Sequence, residues 1–323
     1  MATKHFCTLF DSNYLLKGVV TLQTLAAQCH EAKIFVLCMD QQTYDILTRL
    51  ALPKVECLTL AEVEDDALLA VKGGRSRAEY CWTLAPCLPW HLMNTRPEID
   101  TITYVDADLM FYAPVDAIFE EIGDASISII EHRYTKRLAH LEMQGHFNVE
   151  WVGFKRDPEG LACLSRWREQ CLDWCYARIE KDRVGDQKYL DAWPSTYKSV
   201  HIIQNPGAGL APWNFPRYRV ATKDEQITVD GHPLIFYHFH QLQLLEGGRF
   251  SRLAALYLQE GKPPEVIYER YEAKLLEALE EVRRFFPDFT GGLLPWLPVA
   301  VRRTVQNLLP LWLKSAMRRF VQA

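Results

Sequence analysis

The chain has 323 residues, 49% of them hydrophobic and 24% charged, which bounds it to one large domain or two small ones of ordinary soluble-enzyme composition. A formal net charge of -5 gives no electrostatic basis for nucleic-acid binding. No apolar run approaches a membrane span, and residues 1–6 hold no signal-peptide apolar core, so the expected location is cytoplasmic.

Residues 5–10 predict a first strand, and Asp11 or Ser12 is placed to cap the helix after it. That helix carries the apolar stripe Leu15, Val19, Leu22, Leu25, Ala26 and Cys29. Residues 33–39 form a second strand, 42–50 a helix and 55–60 a third strand. Strands alternating with helices imply a largely parallel sheet. A Gly73-Gly74-Arg75-Ser76 loop precedes a helical stretch over 78–93, expected to break at Pro86 and Pro89. Strands follow at 102–105 and 126–130, then an irregular region, 131–148, whose His132, His140 and His146 either gather around a substrate or, the preferred reading, are solvated.

Asp157-Pro158-Glu159 is a strong helix start. Its helix runs through Leu161, Leu164, Trp167, Cys171 and Trp174. The nine cysteines form no Cys-x-x-Cys pair; buried free thiols are expected, Cys163, Cys171 and Cys175 included. Late strands fall at 200–203 and 233–240, and 265–286 is a charged amphipathic helix. After Asp288 no acidic residue remains, and Arg302, Arg303, Lys314, Arg318 and Arg319 accompany Val301, Val305, Leu308, Leu309 and Trp312 at helical spacing. Two readings stand for 290–323: peripheral contact with an anionic membrane surface, at the inner face for a cytoplasmic protein, or a helix packed on the domain.

The stretch richest in chemistry is Tyr104-Val105-Asp106-Ala107-Asp108-Leu109. Its aspartates follow a buried strand, at the sheet edge where open α/β folds bind ligands. Side chains two apart on a strand point the same way. Two carboxylates between apolar segments are costly to bury without a neutralising partner, and hard oxygen donors suit Mg²⁺ or Mn²⁺.

Taken in order, the segments resemble GT-A glycosyltransferases, especially the broad group around glycosyltransferase family 8. The resemblance rests on Thr8-Leu9-Phe10-Asp11-Ser12-Asn13-Tyr14, Arg75-Ser76-Arg77-Ala78-Glu79-Tyr80, Asp106-Ala107-Asp108, Phe147-Asn148-Val149-Glu150-Trp151-Val152-Gly153-Phe154, Gly185-Asp186-Gln187 and Pro233-Leu234-Ile235-Phe236-Tyr237-His238-Phe239. It implies an α/β, Rossmann-like GT-A fold, with a mostly parallel central sheet flanked by helices, for a domain over 1–258; residues 259–323 read from their own pattern as a C-terminal helical, basic amphipathic extension. It implies a metal site of Asp106, Asp108 and His238 for Mn²⁺ or Mg²⁺. A nucleotide-sugar donor, UDP-linked by default, would lie on Thr8, Asp11, Tyr14, Arg77, Asp106 and Ala107. Asn148 and Asp186 would fix sugar hydroxyls, with Gln187 beside the reacting carbon.

The implied activity is transfer of a sugar, with retention, to a glycan or lipid-linked acceptor, as in cell-envelope synthesis. The chain departs from the pattern in three places. Glu150 stands where glycine is usual, occupying acceptor space or adding a carboxylate near the reaction. His238 and His240 share a strand face, so the third ligand is ambiguous, with His238 preferred. No Gly-x-x-Lys-Pro-Trp follows His240, leaving Lys188 or Arg249 as substitutes for its lysine. The segment 207–214 reads as a closing loop or a plain surface loop. Two other functions compete. In a phosphohydrolase of the haloacid-dehalogenase type, Asp106 would be nucleophile and Asp108 acid; in the other, the chain is a non-catalytic nucleotide-sugar-binding protein.

Overall fold

A computed structural model describes residues 3–180 and 182–295. Strands β1 (Lys4–Phe10), β2 (Ala32–Cys38) and β3 (Val55–Thr59) alternate with helices α1 (Leu15–Gln28) and α2 (Gln41–Leu50). Short helices α3 (Leu60–Val63) and α4 (Asp66–Lys72) lead to α5 (Arg77–Thr95). Then come β4 (Thr101–Val105), β5 (Leu109–Phe111), α6 (Asp116–Ile122), β6 (Ile127–Glu131), β7 (Phe147–Lys155), α7 (Pro158–Asp173), α8 (Trp193–Thr196) and β8 (Val200–Ile203). A meander of β9 (Val220–Lys223), β10 (Gln226–Val229) and β11 (His232–Pro233) precedes β12 (Phe236–His238), and α9 spans Glu265–Phe285.

The central sheet has seven strands in the order β3-β2-β1-β4-β7-β6-β8. All its pairs are parallel except those of β7, which runs antiparallel to β4 and β6. This is the mostly parallel α/β architecture expected from the alternating pattern. Side-chain alternation divides the buried residues between two faces. Phe6, Ile34 and Val36 join α1, α2 and α9 on one side. Cys7, Phe35 and Leu37 join α5 and α7 on the other. Burying each large apolar side chain contributes about 1.5–3 kcal/mol, so both faces of the sheet are held without disulfides; all nine cysteines are free. α9 packs Ile267, Tyr271, Leu275 and Val282 into the first of these cores, and Gln23 Nε2 donates to Glu281 Oε2 at 2.8 Å.

Several local expectations are corrected. α5 runs unbroken through Pro86 and Pro89. Each interior proline costs about 3 kcal/mol, but both are buried along with Leu84, Cys87, Leu88 and Leu92, so tertiary packing outweighs the local penalty. Neither Asp11 nor Ser12 caps α1, whose N-cap is Tyr14. Asp11 Oδ1 instead accepts from Asn13 N (2.8 Å) and Tyr14 N (3.2 Å), closing a side-chain turn ahead of the helix. His132 is buried, stacked on Tyr134 at 4.6 Å. His140 is exposed, and the half-exposed His146 lies 3.0 Å from Glu131 Oε1.

Segment 207–214 is not a plain surface loop. It is buried throughout. A Cβ on Gly207 would stand 2.0 Å from Pro233 O, so only glycine lets the two backbones approach so closely. Asn214 then locks the segment: its amide donates to His132 O and Gly209 O at 2.9 and 2.8 Å. Among the described residues no helix is long and apolar enough to cross a membrane. The basic pattern from Val301 onward, with its two readings of membrane contact or a helix packed on the domain, lies outside the described residues.

Candidate active site

β4 ends at Val105, and Asp106-Ala107-Asp108 form a turn into β5 rather than a continuation of the strand. Three anchors shape this turn. The buried hydroxyl of Thr21, on α1, donates in a bifurcated bond to Ala107 O and Leu109 O (2.9 and 2.7 Å). Phe239 N donates to Asp108 O at 2.9 Å, and Asp106 N to Glu150 O at 3.4 Å. β12 pairs antiparallel with β5, placing His238 opposite Leu109 and its imidazole beside Asp108. The aspartates converge because the turn is clamped, not because of strand alternation.

One ligand atom from each of Asp106, Asp108 and His238 lies within 4.8 Å of the others. His238 Nε2 is 2.9 Å from Asp108 Oδ1 and 4.0 Å from Asp106 Oδ2. Its other nitrogen, Nδ1, bonds Glu150 Oε2 at 2.6 Å. Glu150 is fully buried, and its Oε1 has no hydrogen-bond partner among the described residues. The β6–β7 ladder shifts register between Ile129 and Ile130, opposite Val152 and Asn148. A bulge of this kind re-aims side chains, and Glu150 lies within it. Glu150 therefore places a carboxylate in this cluster, bonded to the His238 imidazole.

The electrostatics follow from crowding acids into a partly to fully buried cluster. Burial pushes the Asp106 carboxyl up to about 7; the charges of Asp108 and Glu150 add to this and His238 opposes it. In Asp108 burial acts the same way but loses to the His238 charge and hydrogen bond and to Lys17, which hold it well below the usual carboxylate range. Burial disfavours a charged His238, yet Asp108 and Glu150 raise it well above its ordinary value. Asp186 is pushed up to about 8 by burial and then by Asp106. Asp106, Asp108 and Glu150 thus crowd the His238 imidazole, Lys17 stands beside Asp108, and Asp186 acts on Asp106. Lys17 Nζ lies 4.0 Å from Asp108 Oδ2, where opposite charges attract by about 4 kcal/mol at an effective dielectric of about 20.

The second histidine is engaged elsewhere: His240 Nδ1 is 2.8 Å from Tyr257 OH, and burial followed by the His238 charge pushes its pKa down to about 4. Trp213, from the buried 207–214 segment, packs edge-on against both rings, 5.1 Å from His238 and 5.6 Å from His240. Lys188 is tied to Asp191 Oδ2 (2.7 Å) and Glu142 O (3.1 Å).

On the other flank, Thr8 is buried in β1 with its hydroxyl unpartnered among the described residues. Arg77 opens α5 and is held by Asp11 and by Asp40, the latter at 2.9 Å. Asp40 also caps α2 through Thr43 N at 2.8 Å. Tyr14 is 38% exposed. Asn148 Oδ1 accepts from Glu150 N at 3.0 Å, leaving its amide hydrogens to donate. Asp186 is buried, and Gln187 Nε2 donates to Gln144 O at 3.2 Å. Lys17 was missed from sequence, although a lone charge in α1, Leu-Leu-Lys-Gly-Val-Val, was the signal to look for.

The donor set fits a divalent cation. Two carboxylates and an imidazole are hard-to-borderline ligands, and a metal-binding histidine usually gives its other N–H to a carboxylate, the place Glu150 occupies.

No protein-family model matches the chain. It is 32% identical over 298 residues to the uncharacterized protein YfnD of Bacillus subtilis (strain 168), covering 91% of this chain and 96% of YfnD. Against the uncharacterized protein YfnF of the same strain it is 30% identical over 297 residues, covering 90% and 97%. Among solved structures it is similar to the galactosyltransferase LgtC in complex with donor and acceptor sugar analogs, with TM-score 0.51 and 13% identity over 93% of this chain and 99% of that one. The apo-form glycosyltransferase GlyE of Streptococcus pneumoniae TIGR4 matches with TM-score 0.51 and 12% identity over 88% of this chain. The match spans 64% of GlyE, less than two thirds of that longer chain. At these identities the structural likenesses speak for the fold, and the sequence likenesses for the family. The chain belongs to the family of YfnD and YfnF, and its fold is the GT-A fold of glycosyltransferases.

Proposed function

We propose that the protein is a divalent-cation-dependent glycosyltransferase, moving a sugar with retention from a nucleoside diphosphate, UDP by resemblance, to a glycan or lipid-linked acceptor. The observation that carries this reading is the convergence of Asp106, Asp108 and His238 on one point of a GT-A sheet edge, with one ligand atom of each within 4.8 Å of the others. A cation bound there supplies positive charge to the departing diphosphate. Thr8, Asp11 and Tyr14 line the nucleoside end, and Ala107 contributes backbone between the two aspartates. Arg77, anchored by Asp11 and Asp40, faces the donor with its remaining donors. Asn148, through its free amide hydrogens, and Asp186 orient sugar hydroxyls, and Gln187 stands next to the anomeric carbon. The phosphohydrolase reading is disfavoured because it needs Asp108 to deliver a proton, whereas His238 and Lys17 keep that carboxyl ionised.

The direct experiment is a thermal-shift screen of nucleotide sugars with and without Mn²⁺. A rise in melting temperature is expected for one nucleotide class, and only with the metal. A flat response across the panel would sink the assignment. The ligand choice has its own test. His238→Ala should weaken Mn²⁺ binding by about 10-fold or more, and His240→Ala by much less, as read by electron paramagnetic resonance of free Mn²⁺. The reverse order would name His240 as the ligand.

A further inference from the structure

Lys17 is the one charged side chain of α1. Its side chain is only 15% exposed, yet among the described residues nothing hydrogen-bonds its ammonium. Asp108 Oδ2, at 4.0 Å, is beyond hydrogen-bond range, and the Tyr14 ring centre lies 4.5 Å away. An ammonium has three hydrogens to place, and with no hydrogen-bond acceptor among the described residues these stay open to water or a ligand. Asp108 turns one oxygen, Oδ1, to His238 and the other toward Lys17. The ammonium thus stands between the candidate cation site and Tyr14.

We propose that Lys17 is a phosphate-binding residue: its ammonium takes an oxygen of a nucleoside diphosphate seated beside Asp108, with the nucleoside toward Tyr14. The inference rests on the glycosyltransferase reading and adds to it a protein-borne positive charge on the diphosphate. The three pendant hydrogens suit phosphate oxygens, which accept from several directions. The alternative role for Lys17 is to neutralise Asp108 and nothing more.

The two roles predict opposite patterns. If Lys17 binds phosphate, Lys17→Met leaves Mn²⁺ affinity equal to or tighter than that of the wild type, because a repelling charge has gone. Under saturating Mn²⁺ the same variant binds UDP about 10-fold or more weakly by calorimetry, GDP serving as a second probe. Lys17→Arg, which keeps the charge, recovers most of the lost affinity and controls for folding. Uridine, lacking phosphate, binds wild type and Lys17→Met alike. UDP affinity within twofold of wild type in Lys17→Met overturns the phosphate role. So does a parallel fall in Mn²⁺ and UDP affinity, which marks Lys17 as a support for Asp108. If the wild type binds neither UDP nor GDP with Mn²⁺, the glycosyltransferase reading itself fails, a result distinct from either of these.

Discussion

Replacing Asp106 and Asp108 together by asparagine is expected to lower Mn²⁺-supported donor turnover on the order of 10³-fold or more while the fold persists. Both side chains lie in a turn held by backbone and Thr21 contacts that the substitutions leave intact. The single variants should separate in stability. Asp106 is partly buried in an acid-rich setting that pushes its carboxyl up to about 7. Asp106→Asn therefore relieves repulsion, and in the absence of metal it should melt no lower than the wild type. Asp108 is the favourable partner of His238 and Lys17, so Asp108→Asn should melt lower. Such a stability cost maintained by wild-type Asp106 is common where function needs strained charge. Full donor turnover in the double variant would refute the cation site. Metal-dependent UDP binding with no turnover of any donor, even in the wild type, would favour the non-catalytic binding protein.

The second large effect belongs to Glu150. Removing one partner of a buried charge pair typically costs about 3–5 kcal/mol, and Glu150 is fully buried against His238 Nδ1 at 2.6 Å. Glu150→Ala is therefore expected to destabilise the protein by that order in a denaturant titration. It should also weaken Mn²⁺ binding by about 10- to 100-fold, because the imidazole loses the partner that aims Nε2 at the aspartates. Glu150→Gln keeps an oxygen to accept from Nδ1–H but gives up the charge, so its Mn²⁺ affinity should fall between the two. Gly209 offers Glu150 no room to swing away: a Cβ there would lie 2.6 Å from Glu150 Oε1, at a φ of +73°. Wild-type Mn²⁺ affinity in a folded Glu150→Ala protein would show that the carboxylate merely fills space.

Much of the framework was legible in the sequence because its signals are local. Period-2 and period-3.6 patterns name β1, α1, β2 and α2 within a residue or two. The Asp157-Pro158-Glu159 cap starts α7 as expected, with Asp157 accepting from Gly160 N at 2.8 Å. The prolines of α5 misled because the penalty they carry is local while the packing that overrides it is not. His132 misled for a similar reason: a polar residue in an irregular stretch is usually solvated, but here Trp213 and Asn214, some eighty positions later, both donate to its carbonyl at 2.8 and 2.9 Å.

The aspartate pair, its place at a strand's end and the short blocks that mark a GT-A chain are legible in the sequence, since each is carried by residues a few positions apart. Only the tertiary structure decided which histidine meets the aspartates, what Glu150 holds, and that Lys17 stands over Asp108. Those pairings join β12 to β5, β7 to β12 and α1 to the turn after β4. Contacts between positions about 90 to 130 residues apart are set by how sheet and helices pack, and no local pattern encodes them.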